Sequence, residues 1–192
     1  VHDDLVQAVC DEISKWPVGP GMEEGVRMGS LVHESHRAEV LEKLQAGLNE
    51  GGNLVLGGHA LEREGAFMEA TVVTGVESHH LLFQDELFGP VLAVTSFTTD
   101  EEALALANDT QYGLTGYLWT ADVTRALRFT DRLDAGMIWV NSENLRHLPT
   151  PFGGNKASGI GRDGGDWSFD FYMETKNIAF ATSQHRIPKL GG

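Results

Sequence analysis

The chain has 192 residues, 41% of them hydrophobic, which is enough for one hydrophobic core and predicts a single globular domain or one domain with an arm. Its 14 basic and 28 acidic residues give a net charge of −14, the wrong sign for neutralising nucleic-acid phosphates or anionic lipids. Without a run of about 18 apolar residues or a recognisable signal peptide, we expect no membrane association and a cytoplasmic protein.

Hydrophobic periodicity and helix breakers predict helices and strands that alternate along the chain. The helices are expected over residues 3–16, 34–49, 100–108 and 122–133, and the strands over 53–56, 69–74, 91–97, 114–120 and 137–141. In the fourth helix, Val123, Ala126, Leu127 and Thr130 are expected to face inward. This alternation is typical of an α/β fold.

The C-terminal third of the chain has a different character. Residues 142–166 lack periodicity and are rich in Gly, Pro, Asn and Ser, which predicts a long functional loop. Residues 176–182 predict one further strand. Because a lone terminal strand needs a partner, the sheet edge of another subunit is a natural one.

Three possible sites are weak. The glycine string at 159–164 matches the dinucleotide fingerprint, but it follows a Pro/Gly loop instead of a buried strand, so tight turning explains it better. The eight histidines have no partners at recognisable ligand spacing, and we predict no metal site. The single cysteine, Cys10, lies on or beside the apolar stripe of the first helix and is expected to be a core residue, not a nucleophile.

The segment ELFGPV at 86–91 brings a carboxylate and an aromatic ring to the entrance of a strand through a Gly-Pro turn. A carboxylate there could accept hydrogen bonds from two sugar hydroxyls, and a ring could stack on a heteroaromatic face. Taken alone, the segment is better explained by a solvated glutamate and a core phenylalanine, so further evidence is needed for a binding role.

Four segments in order and spacing carry more information than any one of them. ELFGPV at 86–91, ANDTQYGL at 107–114, AGMIWVN at 135–141 and PFGGNKASGIGR at 151–162 together strongly resemble the aldehyde dehydrogenase superfamily. The resemblance covers essentially the whole chain. It implies the part of that fold that follows the catalytic cysteine.

The resemblance also implies roles for individual residues. Glu86 matches the glutamate that hydrogen-bonds the nicotinamide ribose of NAD or NADP, and Phe88 matches the aromatic residue beside the nicotinamide. Phe152 matches the ring that lines the substrate funnel. The loop that closes over the aldehyde side chain contains Asn144, Leu145 and Arg146. Asp163 stands where many relatives have a glutamate, which puts a proton-relay role there in doubt.

By the same resemblance, residues 1–175 form a partial catalytic domain, and residues 176–192 form an oligomerisation strand and tail of a homo-oligomer. The nucleophilic cysteine, the oxyanion amide, the general base and the Rossmann domain precede Val1 in the family pattern. No catalytic residue is therefore expected in this chain, which should be inactive alone and should act with its own N-terminal cofactor domain on an aldehyde.

The loop sequence NSENLR at 141–146 and the ending HRIPKLG at 185–191 are similar to the 5-carboxymethyl-2-hydroxymuconate semialdehyde dehydrogenases of aromatic catabolism. An arginine in so acidic a chain favours a carboxylate-bearing substrate, because guanidinium binds carboxylate bidentately. A salt bridge from Arg146 to a neighbouring acidic side chain is an equal alternative. Other semialdehyde dehydrogenases, acylating ones included, and a non-catalytic assembly or binding module derived from the same fold also stay open.

Overall fold

The computed structural model describes residues 1–186 and 191, which form two compact units. The first unit comprises Val1–Gln111 with Asp131–Leu133, and the second comprises Tyr112–Thr130 with Asp134–Gly192. Within the described residues, no helix is both long enough and apolar enough to span a membrane. This division differs from the predicted boundary near Lys176, which separates a C-terminal tail from the rest of the chain. That boundary stays a prediction.

The first unit contains a three-stranded sheet and four helices. In chain order its elements are α1 (His2–Ile13), α2 (Glu34–Asn49), β1 (Asn53–Leu56), β2 (Thr71–Thr74), α3 (Leu81–Gln84), β3 (Val91–Val94) and α4 (Asp100–Asn108). The observed bounds of α2, β1 and α4 are those predicted. The first helix ends three residues earlier than predicted, at Ile13, because the amides of Lys15 and Trp16 bond to carbonyls three residues back before Pro17.

The central strand of this sheet is β2, which runs antiparallel to β1 and parallel to β3. Two consecutive residues of β2, Val72 and Val73, are both 0% exposed. Since neighbouring side chains of a strand point to opposite faces, both faces of the sheet are covered. Val73 packs with Leu44 of α2 and with Val76 and Leu82, whereas Val72 packs with α1. The α/β fold class is thus confirmed.

The second unit contains two small sheets. Its elements are β4 (Tyr112–Gly113), β5 (Thr115–Leu118), most of α5 (Val123–Arg132), β6 (Met137–Val140), β7 (Asn155–Lys156) and α6 (Asp166–Tyr172). Strands β5 and β6 are parallel, and β4 and β7 are antiparallel. The sequence did not predict α3, α6, β4 or β7, which are all too short to show a clear period.

Two expectations for the second unit are wrong for the single chain. Val123 and Leu127 of α5 are 72% and 67% exposed instead of facing inward. Residues 176–182 form no strand, and Ile178 and Phe180 within them are exposed. The reason is the same in both cases: a periodic pattern identifies an apolar face or an extended segment, but the described part of the chain supplies no partner to cover it.

The N-terminus of α4 is held by a capping arrangement that the sequence predicted. The Thr99 hydroxyl accepts from the Glu102 amide at 3.1 Å, and a Glu102 carboxylate oxygen accepts from both the amide and the hydroxyl of Thr98 at 2.7 Å. The Thr98 hydroxyl, joined by the amides of Thr98 and Thr99, lowers the pKa of Glu102 below its ordinary value of 4.5.

We expect Glu102→Gln to destabilise the folded chain at neutral pH, because it removes the charge that these donors favour. A lowered pKa stabilises the fold above 4.5, and that contribution is lost as the pH falls through the lowered value. The urea midpoints of wild type and variant should therefore differ at neutral pH and converge as the pH falls through the lowered pKa of Glu102. The exposed Glu42→Gln of α2 is the control and should have the wild-type midpoint at neutral pH. Equal midpoints for Glu102→Gln and wild type at neutral pH would contradict the prediction.

Candidate functional site

The corner between α3 and β3 forms one side of a cleft of about 630 Å³ in the first unit. Residues 85–91 contribute most of this side, and Met68, Leu82 and Ala93 with the segment 28–31 line the rest. Gly89 and Pro90 lead into β3. The Pro90 carbonyl accepts a hydrogen bond from the Thr71 amide at 2.8 Å. The corner is therefore attached directly to the start of the central strand.

Glu86 and Phe88 both line this cleft, as a shared cofactor wall requires. The carboxylate of Glu86 is exposed, and it makes no hydrogen bond or ion pair within the described residues. The Phe88 ring is 75% exposed, which excludes the interpretation as a core phenylalanine. Phe88 also has a φ of 52°, in the left-handed region that non-glycine residues seldom adopt.

Arg146 and Phe152 meet in a separate small pocket of the second unit, of about 70 Å³. The guanidinium carbon of Arg146 lies 4.3 Å from the Phe152 ring centroid, a cation–π contact. Its Nε donates to Asn144 Oδ1 at 3.0 Å. Both contacts are with uncharged groups, and no acidic residue among positions 1–186 forms the salt bridge that was the equal alternative.

The loop that carries these residues is held by its backbone. The indole N–H of Trp139 on β6 donates to the Leu145 carbonyl at 2.8 Å, while the Leu145 side chain stays 75% exposed. Asn144 has a φ of 47°, which an asparagine tolerates better than most residues. Of the three predicted loop residues, Arg146 lines the pocket of Phe152 and Asn144 is bonded to it, whereas Leu145 is not among the lining residues. Phe152 is not among the residues that line the cleft of Glu86 and Phe88.

Asp163 has a structural role in this unit. Its backbone exchanges two hydrogen bonds of 2.7 Å with Phe152, and its Oδ1 accepts from Ser168 Oγ at 2.7 Å and from the Gly164 amide at 2.9 Å. These bonds tie the Phe152 segment to the start of α6. The carboxylate is thereby occupied as an acceptor, which adds to the doubt about a proton-relay role.

Sequence reasoning missed the part played by Arg162. Its Nη1 donates to the carbonyls of Gly154 and Gly161 at 2.7 and 2.9 Å, and its Nη2 donates to Asn155 Oδ1 at 2.6 Å. The arginine therefore closes the glycine-rich loop on itself. An arginine inside a run of glycines was the signal available in the sequence, since a guanidinium has five N–H donors and needs several acceptors. No helix begins within the glycine string, which confirms that it is not a dinucleotide fingerprint.

Among the described residues, one group of side chains has the composition of a metal site: Glu77, His79 and His80. However, the buried ring of His80 accepts the Glu77 amide at Nδ1 over 3.1 Å. That bond places the proton of the neutral ring on Nε2, so a metal would have to break the turn to obtain a lone pair. The absence of a metal site stays a prediction. Cys10 is buried with Val6 and Val72, as expected for a core residue.

Known proteins resemble this chain over nearly its whole length. The sequence profile described as "Aldehyde dehydrogenase family" matches residues 1–178. Aminoaldehyde dehydrogenase 1, peroxisomal, from Pisum sativum is 36% identical over 189 residues, which are 95% of this chain and 38% of that protein.

Solved structures agree with the sequence comparison. HpcC from Thermus thermophilus is 40% identical, with a TM-score of 0.92 over 99% of this chain and 38% of the other. A point mutant of betaine aldehyde dehydrogenase from Staphylococcus aureus, in complex with NAD⁺, is 33% identical with a TM-score of 0.89 over 97% of this chain and 39% of the other. The chain thus spans less than two fifths of the length of these relatives.

The left-handed backbone of Phe88 predicts an unusual order of stabilities. We expect Phe88→Gly to be more stable than Phe88→Ala by about 1 kcal/mol, because only glycine adopts a positive φ without steric cost. Unfolding free energies from urea titration measure the difference. The matched pair is Phe97→Gly and Phe97→Ala, at an exposed residue without positive φ, where alanine should be at least as stable. A more stable alanine variant at both positions would refute the assignment.

Proposed function

The chain belongs to the aldehyde dehydrogenase family, and on that premise we propose that it is part of an NAD(P)-dependent enzyme that oxidises a carboxylate-bearing semialdehyde to the acid in aromatic catabolism. The observation that carries the proposal is the presentation of Glu86 and Phe88, both exposed, on one side of a single cleft. Because the chain spans 38% of HpcC, the activity is proposed for the longer polypeptide.

The residues of the corner suit the nicotinamide half of a dinucleotide. The Glu86 carboxylate has no partner in the described part of the chain, so both oxygens are available to accept from the two ribose hydroxyls. The exposed Phe88 ring offers an apolar face to the nicotinamide. When bound, NAD(P) accepts the hydride; the role of this chain is to bind and orient it. The similar betaine aldehyde dehydrogenase, described with NAD⁺, supports this choice of cofactor.

Arg146 is the residue we assign to the substrate carboxylate. It is the charged group of a pocket that also contains Phe152 and Met137, and its present contacts leave the guanidinium charge without a carboxylate. In a chain with a net charge of −14, an unpaired arginine at a substrate loop favours an anionic ligand.

We assign no catalytic nucleophile to this chain. Its one cysteine, Cys10, is buried and unsuited to attack an aldehyde, so the nucleophile is assigned to the rest of the polypeptide and this chain to a supporting, inactive role when alone. We place the enzyme in the cytoplasm and propose that residues 176–182 pair with another subunit.

A specific observation also favours a second candidate, a non-catalytic assembly module. Helix α6 exposes four aromatic residues, and Ile178 and Phe180 of the tail are 75% and 85% exposed. An exposed apolar surface of this kind is typical of an interface between proteins. The two candidates differ in nucleotide binding, because assembly alone does not require an intact cofactor wall.

The first experiment compares aldehyde-dependent NADH formation by the full-length polypeptide with that of this chain alone. We expect turnover only by the former, with 5-carboxymethyl-2-hydroxymuconate semialdehyde as the test substrate. In the full-length protein, Glu86→Gln should raise the KM for NAD by about 10- to 100-fold, the cost of a charge-assisted hydrogen bond. The exposed Glu42→Gln is the control. NADH formation by this chain alone, or a full-length protein without dehydrogenase activity, would overturn the proposal.

A second experiment tests the substrate assignment. Arg146→Met in the full-length protein should lower kcat/KM for a carboxylate-bearing semialdehyde by about 10- to 100-fold, since a hydrogen-bonded charge pair is lost. A neutral aldehyde such as propanal should react as in the wild type. Arg146→Lys should retain part of the preference, because it keeps the charge without the bidentate geometry. Equal losses for both aldehydes would mean that Arg146 only supports the loop.

A further inference from the structure

One continuous face of helix α2 runs along the segment that carries Glu86 and Phe88. The residues of this face are His36, Val40, Lys43 and Gly47 of the helix and its C-cap residue Glu50, at the spacing that places side chains on one side of a helix. Each of them contacts residues 81–89. The corner of the cleft is thus held along its whole length by α2.

The contacts near α3 fix the beginning of the segment. Glu50 accepts from the Leu81 amide at 2.7 Å, and Leu82 packs so tightly against Gly47 that a Cβ there would overlap its side chain. Further along, Lys43 Nζ lies 3.3 Å from Asp85 Oδ2. The residue that precedes Glu86 is therefore tied to α2 by an ion pair.

At the far end, the contacts hold Phe88 and Gly89. A Cβ on Gly89 would lie only 2.7 Å from Val40 Cγ1, so the backbone rests directly on the buried Val40. The His36 Nε2 lies 3.0 Å from the Phe88 carbonyl oxygen. Because a carbonyl can only accept, Nε2 must carry the proton of this bond.

His36 is hydrogen-bonded to Phe88, the residue of the corner whose backbone conformation is sterically unfavourable. Phe88 has a φ of 52°, and a non-glycine residue keeps such a conformation only where surrounding contacts impose it. His36 itself is fixed at the start of α2, where its amide donates to Nδ1 of the N-cap residue His33 at 3.0 Å. Its own Nδ1 faces the Glu39 carboxylate at 3.8 Å.

We propose that His36 is a positioning residue for the nicotinamide half of the cofactor. By holding the Phe88 carbonyl, it keeps Phe88 in the left-handed conformation and so directs the Phe88 ring and the neighbouring Glu86 carboxylate to the cleft. His36 acts through the backbone and is not among the residues that line the cleft. The inference rests on the proposed function, since it assumes that the corner contacts a nicotinamide nucleotide.

The test measures the dissociation constants of NAD⁺ and ADP by calorimetry on the full-length polypeptide. ADP lacks the nicotinamide half, so it reports on the rest of the cofactor site. For His36→Ala we expect NAD⁺ to bind about tenfold more weakly, the effect of one lost hydrogen bond, while ADP binds as in the wild type. His36→Gln, whose amide N–H can replace the donor, should restore NAD⁺ affinity to within about threefold. Gln45→Ala, at an exposed residue of the same helix, is the control for folding.

Each other result counts against the inference. Unchanged NAD⁺ binding in His36→Ala would show that Phe88 keeps its place without the histidine. Equal losses of NAD⁺ and ADP affinity would mean a general effect on folding. No recovery of NAD⁺ affinity in His36→Gln would show that a hydrogen-bond donor at this position is not what positions Phe88. These three results leave the proposed function intact, whereas a wild-type protein that binds neither NAD nor NADP would overturn both the proposed function and this inference.

Discussion

The burial of β2 on both faces is the constraint on which the first unit depends. Val72 and Val73 are fully buried against helices on opposite sides of the sheet. Complete burial of a side chain of this kind stabilises a fold by about 1.5–3 kcal/mol. The two adjacent valines therefore stabilise the packing of α1 and α2 on opposite faces of one short strand. The cleft depends on the same strand, because the Pro90 carbonyl bonds to the amide at its first residue, Thr71.

The corner beside the cleft is held differently from the core beneath it. Its side chains are exposed, and its conformation is imposed by polar ties from α2 and by close backbone packing at Gly89. Separate sources of stability and of side-chain orientation suit a binding site. Apolar burial supplies stability without dictating the orientation of a carboxylate, whereas directional hydrogen bonds fix geometry at a small net gain in free energy. A buried helix face that holds an exposed corner therefore separates stability from recognition.

In the second unit, apolar groups remain without cover. The outer face of α5, the aromatic residues of α6, and Ile178 and Phe180 of the tail are all exposed. Such surface is costly in water, and its extent agrees with a chain that spans 38% of the length of HpcC. The contacts proposed with the rest of the polypeptide and with another subunit would cover these groups. The polar loop that holds Arg146, in contrast, is fixed within the unit by Trp139 and Asn144.

The sequence by itself determined the elements whose signals are local. Periodicity and capping residues located α2 to the residue and α4 closely, and four ordered motifs identified the family and placed Glu86 and Phe88 at a strand entrance. Only the tertiary structure decided which groups meet. The hydrogen bond between His36 and the carbonyl of Phe88, a residue with a left-handed backbone, joins residues 52 positions apart in the chain. The contact of Arg146 with Phe152 forms within a loop that has no periodic pattern to predict it. Short-range patterns specify a helix or strand and its apolar face, but the partner of that face is a long-range choice, which is why the inward face of α5 and the strand at 176–182 were predicted wrongly for the single chain.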